Sequence, residues 1–182
     1  MNIEAKLNYL SIHAPDINEH LYTLKRYAEE CETVVELGVA KPVSTWAFIA
    51  AKPKKLISVD IVHPKQRGSS LDDVINVCSR EGIEFEFRQE DSRTTELPTH
   101  DLLFIDTLHK YDVITKELQI HSIKTKKYII IHDTITFGSI DEFGNGPGLN
   151  KAIKEFLLSH PQWKVKEIFT NNNGLTVLEK ND

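Results

Sequence analysis

Short apolar runs rich in β-branched residues alternate along the chain with longer stretches whose apolar residues recur every three or four positions. Val34-Val35-Glu36-Leu37 reads as a buried strand ended by Gly38, and Val43 to Ala51 as the helix that follows. Leu56-Ile57-Ser58-Val59-Asp60 predicts the second strand, Ile83 to Phe87 the third, Leu102 to Asp106 the fourth and Tyr128 to Ile131 the fifth. Helical spacing fills Leu71 to Arg80 and Val113 to Ile123. Continuous apolar strands separated by helices imply a mostly parallel sheet covered on both faces.

The C-terminal part changes character. Leu149 to Leu158 predicts a helix, Trp163 to Phe169 a strand, Asn171 to Gly174 a turn and Leu175 to Leu178 a last strand. Strands joined so closely must be antiparallel, because a parallel return needs a long crossover. At the other end, Asp16 and Glu19 have the spacing of a capping box opening a helix through about Glu30, within an N-terminal helical segment of about residues 1–31. Without repeats, low-complexity tracts or Pro/Gly/Ser linkers, residues 1–182 read as one α/β domain. Its expected architecture is a Rossmann-like, mostly parallel seven-stranded sheet with a C-terminal antiparallel hairpin and helices on both faces.

A composition of 40% hydrophobic and 27% charged residues is that of a globular protein. The net charge of -5 argues against a nucleic-acid partner, which demands a basic face. Lys52, Lys54 and Lys55, like Lys124, Lys126 and Lys127, precede strands and read as solvated turns. No apolar run approaches the roughly 20 residues of a membrane span, and the first residues lack the pattern of a signal peptide. The expected location is cytoplasmic, with no membrane partner; homo-oligomerisation is left open. Cys31 and Cys78 are too few for a disulfide framework and read as small buried hydrophobes.

In open α/β sheets, ligands bind outside the carboxyl ends of the strands. Those ends place Glu36, Gly38, Asp60, His63, Glu90, Asp91, Asp106, His109, His132 and Asp133 on one rim. His100 falls at the opposite end, and His13, His20, His121 and His160 read as surface residues. Asp106 and Asp133, ending neighbouring strands, would stand side by side. Two carboxylates about 4 Å apart repel by roughly 4 kcal/mol at an effective dielectric near 20. A shared proton, a basic side chain or a cation must relieve them.

The run Val-Val-Glu-Leu-Gly-Val-Ala-Lys-Pro-Val-Ser-Thr (34–45) resembles the first motif of class I S-adenosylmethionine (SAM)-dependent methyltransferases. Ser-Val-Asp (58–60) and Gln-Glu-Asp-Ser (89–92) look like their second and third strand ends. Asp-Leu-Leu-Phe-Ile-Asp-Thr-Leu-His-Lys-Tyr (101–111), followed by Ile-Ile-Ile-His-Asp-Thr (129–134), is similar to small O-methyltransferases of sugars and natural products, some of which need a divalent cation. The likeness runs from about residue 20 through the terminal hairpin, and it departs from the family in a first loop with only one glycine. It implies a SAM site of Glu36, Gly38, Ser44, Asp60, Asp91, Ser92 and Asp106, with Asp60 on the ribose and Asp91 or Ser92 at the adenine. It also implies a Mg²⁺ or other divalent cation on Asp106 and Asp133, with His132, where the family often has an acidic residue, either adding a ligand or shaping the turn, and a small-molecule acceptor with a sugar hydroxyl. His109, in an Asp-x-x-His arrangement with Asp106, resembles the catalytic base of related sugar methyltransferases.

On the residues alone, Gly38 would let the backbone approach a ligand closely, and Pro42 suits the first turn of a helix whose free amides, with Ser44, could hold a carboxylate. A histidine titrating near neutrality suits a base. The stretch from Ile135 to Gly148 holds four of the chain's eight glycines and is expected to overhang the site as a mobile lid, with Phe137 and Phe143 as apolar contacts. Two other classes compete. A binding or assembly module could keep this fold without turnover, whereas a nicotinamide oxidoreductase would need the missing glycines.

Overall fold

The computed structural model describes residues 2–181. Each predicted strand segment forms a strand: β1 (Thr33–Leu37), β2 (Lys55–Asp60), β3 (Glu84–Gln89), β4 (His100–Ile105), β5 (Thr125–His132), β6 (Trp163–Phe169) and β7 (Leu175–Lys180). The sheet order is β3-β2-β1-β4-β5-β7-β6. β1 to β5 run parallel, and β7 lies antiparallel between β5 and β6. Alternation along the strands divides the core in two. Val34, Leu56, Phe104 and Ile130 pack with α1 (Ile3–His13), α2 (Leu21–Ala28), α3 (Ser44–Ala51) and α4 (Asp72–Glu81). Val35, Ile57, Leu103 and Ile129 face α5 (Tyr111–His121) and α6 (Leu149–Ser159). Among the described residues, no helix is long and apolar enough to cross a membrane. The lysine clusters lie at the surface but run into the strands, with Lys55 in β2 and Lys126 and Lys127 in β5, where turns were expected. Ammonium groups of Lys52, Lys54, Lys55 and Lys126 reach Glu81, Glu32, Glu84 and Asp101.

The N-terminus departs from expectation. Pro15 disfavours a helical Ala14, so α1 ends there in extended backbone. Asp16 caps no helix: it sits at φ 65° without a side-chain capping bond, and a short 3-10 turn, Ile17–His20, leads into α2. α3 likewise starts at Ser44, leaving Pro42 in the turn before it. His20 and His121, expected at the surface, are buried and bonded to backbone carbonyls.

Gly38 also has a packing role that its motif did not suggest. Its amide donates to the Val59 carbonyl, and the Asp106 amide donates to that of Leu37, which closes β1 against both neighbours. A Cβ on Gly38 would lie 1.8 Å from the Asp106 carbonyl oxygen, at φ +86°. The glycine is demanded by the crossing of two strand ends. Gly38→Ala should cost about 2–4 kcal/mol in urea unfolding, through overpacking and left-handed strain. A loss within about 0.5 kcal/mol, the range of ordinary surface changes, would contradict this contact.

Glu36 follows the strand's alternation onto the α3 face. It is fully buried and accepts hydrogen bonds from Ser44 Oγ (2.5 Å), Thr45 Oγ1 (2.9 Å) and Ser58 Oγ (2.6 Å). Burial raises its pKa to about 7 from 4.5, against the pull of the three hydroxyls. A carboxyl raised in the folded state favours folding fully below the unfolded value, and that contribution is lost as pH rises toward 7. Relative to Glu36→Gln, the wild type should therefore lose up to about 3 kcal/mol of unfolding free energy between pH 4.5 and 8. Parallel stability-pH curves for the two proteins would show that Glu36 carries no such proton.

Candidate active site

At the carboxyl ends of β1, β2 and β4 lies a cleft of about 450 Å³, within the usual size of a small-molecule site. Gly38, Asp60, Asp91, Ser92, Asp106 and His109 line it, together with Asp16, Arg67, Thr107 and Glu142. Glu36 and Ser44 do not; they are engaged with one another beneath α3, so Ser44 offers no hydroxyl to a ligand. His63 is also turned elsewhere, accepting the Lys65 amide at the turn Pro64–Arg67.

Asp60 first shapes the loop beside it. Its Oδ2 accepts the Val39 and Ala40 amides, each at 2.9 Å, and its Oδ1 accepts that of Val62 at 2.8 Å. Ala40 stands at φ 47° in this loop, so the anchoring carboxylate offsets a backbone conformation that glycine would adopt freely. Asp91 holds Arg93 through two side-chain contacts of 2.9 and 2.6 Å, which lower its pKa. Ser92 Oγ donates to Glu117 at 2.5 Å, and Thr107 donates to the same carboxylate. Burial pushes Glu117 up to about 7. This buried clamp on two cleft residues gave no sequence signal, because Glu117 occupies an ordinary helical position.

Next to the cleft, β4 and β5 deliver the acidic pair. Asp133 is almost wholly buried and turns inward at φ 61°, a conformation rare outside glycine. His109 Nε2 stands 2.9 Å from Asp133 and 3.5 Å from Asp106, and His132 Nδ1 stands 3.2 and 3.5 Å from the same carboxylates. Neither nitrogen meets hydrogen-bond geometry with any partner. Burial alone lowers the histidine pKa values, but the carboxylates outweigh it and raise both above the ordinary range. Burial likewise opposes ionisation of Asp106 and Asp133, yet the two imidazoles hold their pKa values down. The expected repulsion is thus relieved by basic side chains. The near-neutral titration expected of His109 does not hold while these carboxylates face it alone.

The remaining contacts orient the imidazoles. His109 Nδ1 lies 2.8 Å from Glu142 Oε2, and its ring stacks on Phe137 with centroids 4.7 Å apart. His132 Nε2 bonds the Asn172 carbonyl at 3.0 Å. The glycine-rich stretch that carries Phe137 and Glu142 is pinned at its two ends and exposed in its middle. A Cβ on Gly138 would meet the Thr134 carbonyl at 2.1 Å, and one on Gly148 would meet that of Phe137 at 2.1 Å. The donor set fits a divalent cation: single atoms of Asp106, His109 and Asp133 lie within 4.8 Å of one another, and the two ring nitrogens without hydrogen bonds point among the carboxylates. The carboxylates suit a hard ion such as Mg²⁺, and the imidazoles admit a transition metal as well.

No curated protein matches the sequence. Solved structures share the fold at low identity. The O-methyltransferase from Bacillus cereus, in complex with SAH, aligns at TM-score 0.68 and 13% identity over 98% of this chain and 90% of that one. The O-methyltransferase TomG from Streptomyces achromogenes, in complex with SAM, gives 0.64 and 13% over 91% and 81%. The SAH-bound methyltransferase PaMTH1 from Podospora anserina gives 0.61 and 15% over 99% and 88%. A family model described as Rhamnosyl O-methyltransferase/CmcI matches residues 20–181. Of the classes the sequence left open, the enzyme prevails: the chain belongs to the rhamnosyl O-methyltransferase/CmcI family of SAM-dependent O-methyltransferases.

Proposed function

We propose that this O-methyltransferase acts on a sugar hydroxyl of a small-molecule acceptor and is assisted by a divalent cation such as Mg²⁺. The observation that carries this reading is the junction of the cleft with the cluster of Asp106, His109, His132 and Asp133. The family description supports the sugar.

SAM would lie along Gly38, Asp60, Asp91, Ser92 and Asp106, with the ribose near Asp60 and the adenine near Asp91 and Ser92. Asp60 accepts three backbone amides and, at 3.5 Å, the Arg67 guanidinium, so the ribose hydroxyls would take the place of that last, long contact on a carboxylate with about four acceptor sites. Asp106, His132 and Asp133 would hold the cation, whose charge offsets the carboxylates and lowers the pKa of a nearby hydroxyl. Since the sulfonium is already a good leaving group, the protein's contribution is alignment and proton removal. With Nδ1–H donated to Glu142, His109 would take the hydroxyl proton on Nε2 once a bound cation offsets Asp106 and Asp133, the carboxylates that otherwise keep that nitrogen protonated. Phe137 keeps that ring in plane.

Calorimetry with S-adenosylhomocysteine and methyl transfer to a panel of sugars, sugar conjugates and phenols test the reading. Binding of the nucleoside, methylation of a sugar hydroxyl and suppression by EDTA are expected. Transfer to phenols alone would overturn the sugar, and full activity in EDTA would overturn the cation. His109→Ala should keep its affinity for S-adenosylhomocysteine while kcat falls by about 10²–10⁴. Undiminished turnover would remove His109 from the base role.

A further inference from the structure

Asp16 reaches the acidic cluster from a part of the chain outside the parallel strands and ahead of the matched family region. It lines the same cleft as Asp106, His109 and Glu142. One ligand atom each from Asp16, His132 and Asp133 lie within 4.8 Å of one another. Asp133 is therefore common to this trio and to that of Asp106 and His109.

The placement of Asp16 is enforced. Its backbone, at φ 65° and ψ -135°, lies where side chains rarely go. The tip of the β6–β7 hairpin grips the segment through three consecutive asparagines. Asn173 Nδ2 donates to Asp16 Oδ1 at 2.7 Å, Asn172 Nδ2 to Asn18 Oδ1 at 3.2 Å, and Asn171 Nδ2 to Glu19 at 2.7 Å. His20 Nε2 adds contacts to the Asn171 and Asn172 carbonyls.

His132 supplies an independent sign of a ligand. It is 1% exposed, and its Nε2 is committed to the Asn172 carbonyl. The other nitrogen, Nδ1, has no hydrogen bond and is aimed at the carboxylates. A histidine with one ring nitrogen fixed on a carbonyl and the other directed into an oxygen-rich cluster has the orientation of a metal-bound imidazole.

We propose that Asp16 is a further ligand of the divalent-cation centre, supplied by the N-terminal segment and set in place by the Asn171–Asn173 clamp. This rests on the cation reading above and extends it to a residue outside the strand-end motifs. A third carboxylate oxygen strengthens the preference for a hard cation. It also makes the wall of the cleft formed by the N-terminal segment part of the cation site.

Titration of the full chain with Mn²⁺ alone, followed by electron paramagnetic resonance of the free ion, tests this without any acceptor. Asparagine keeps the size of Asp16 and tolerates positive φ, so Asp16→Asn should melt like the wild type without metal. Its Kd for Mn²⁺ should rise by about tenfold or more, since loss of even a group that only supports a ligand costs about 10–100-fold. Asn173→Ala should weaken binding less, and Asp133→Asn should abolish it. If Asp16→Asn melts lower, Asp16→Gly, which relieves the backbone, replaces it with the same expected loss. Affinity within twofold of the wild type, with binding lost in Asp133→Asn, would overturn the role of Asp16 and leave the cation centre standing. Failure of the wild type to bind Mn²⁺ would overturn both.

Discussion

Parallel pairing of β4 with β5 brings Asp106 and Asp133 to one spot, and the surrounding structure answers the electrostatic cost of that meeting. Two ionised carboxylates at contact repel by roughly 4 kcal/mol at an effective dielectric near 20, a large share of a domain's net stability. His109 and His132 lie between them and offset the charge. Each imidazole is held from behind, one by Glu142 and the other by the Asn172 carbonyl. The inward turn of Asp133 at φ 61° is strained backbone at a cluster of chemistry-bearing groups, where strain of about 1–3 kcal/mol tends to persist because the surroundings over-determine it.

This arrangement joins pieces of chain that are far apart in sequence. The hairpin beyond β5 places its tip at the end of the sheet, where it fixes His132 and grips the segment carrying Asp16. The glycine-rich stretch after Asp133 folds back through close backbone contacts and returns Glu142 to His109. On the other side, the tight crossing at Gly38 sets the floor of the cleft, and Asp60 holds the loop above β1. Packing, strand register and charge balance therefore act on the same few residues.

The fold was legible because its signal is local. β-branched runs such as Val34 to Leu37 and Tyr128 to Ile131 form strands whatever their partners, and the separation of Trp163–Phe169 from Leu175 by a short Asn-rich turn leaves only an antiparallel return. The rim rule selected Gly38, Asp60, Glu90, Asp91, Asp106 and His109, which line one cleft. It failed for Glu36, which alternation along β1 turned into a buried network with Ser44, the residue read from the helix start as a ligand contact. Asp16, Glu117 and Glu142 were not legible as site residues, since each depends on a contact between distant segments. Two cues were present for Asp16: Pro15 stops a helix before it, and Asp tolerates unusual backbone better than most residues.

Anomalous diffraction from crystals grown with S-adenosylhomocysteine and Mn²⁺ tests the central claim most directly, that carboxylates and imidazoles gathered beside the cleft form a cation centre serving methyl transfer. The account predicts the nucleoside along Gly38, Asp60 and Asp91, and a Mn²⁺ peak in contact with Asp106, His132 and Asp133. A nucleoside in the cleft with no peak, and with both imidazoles still ion-paired to the two aspartates, would contradict it.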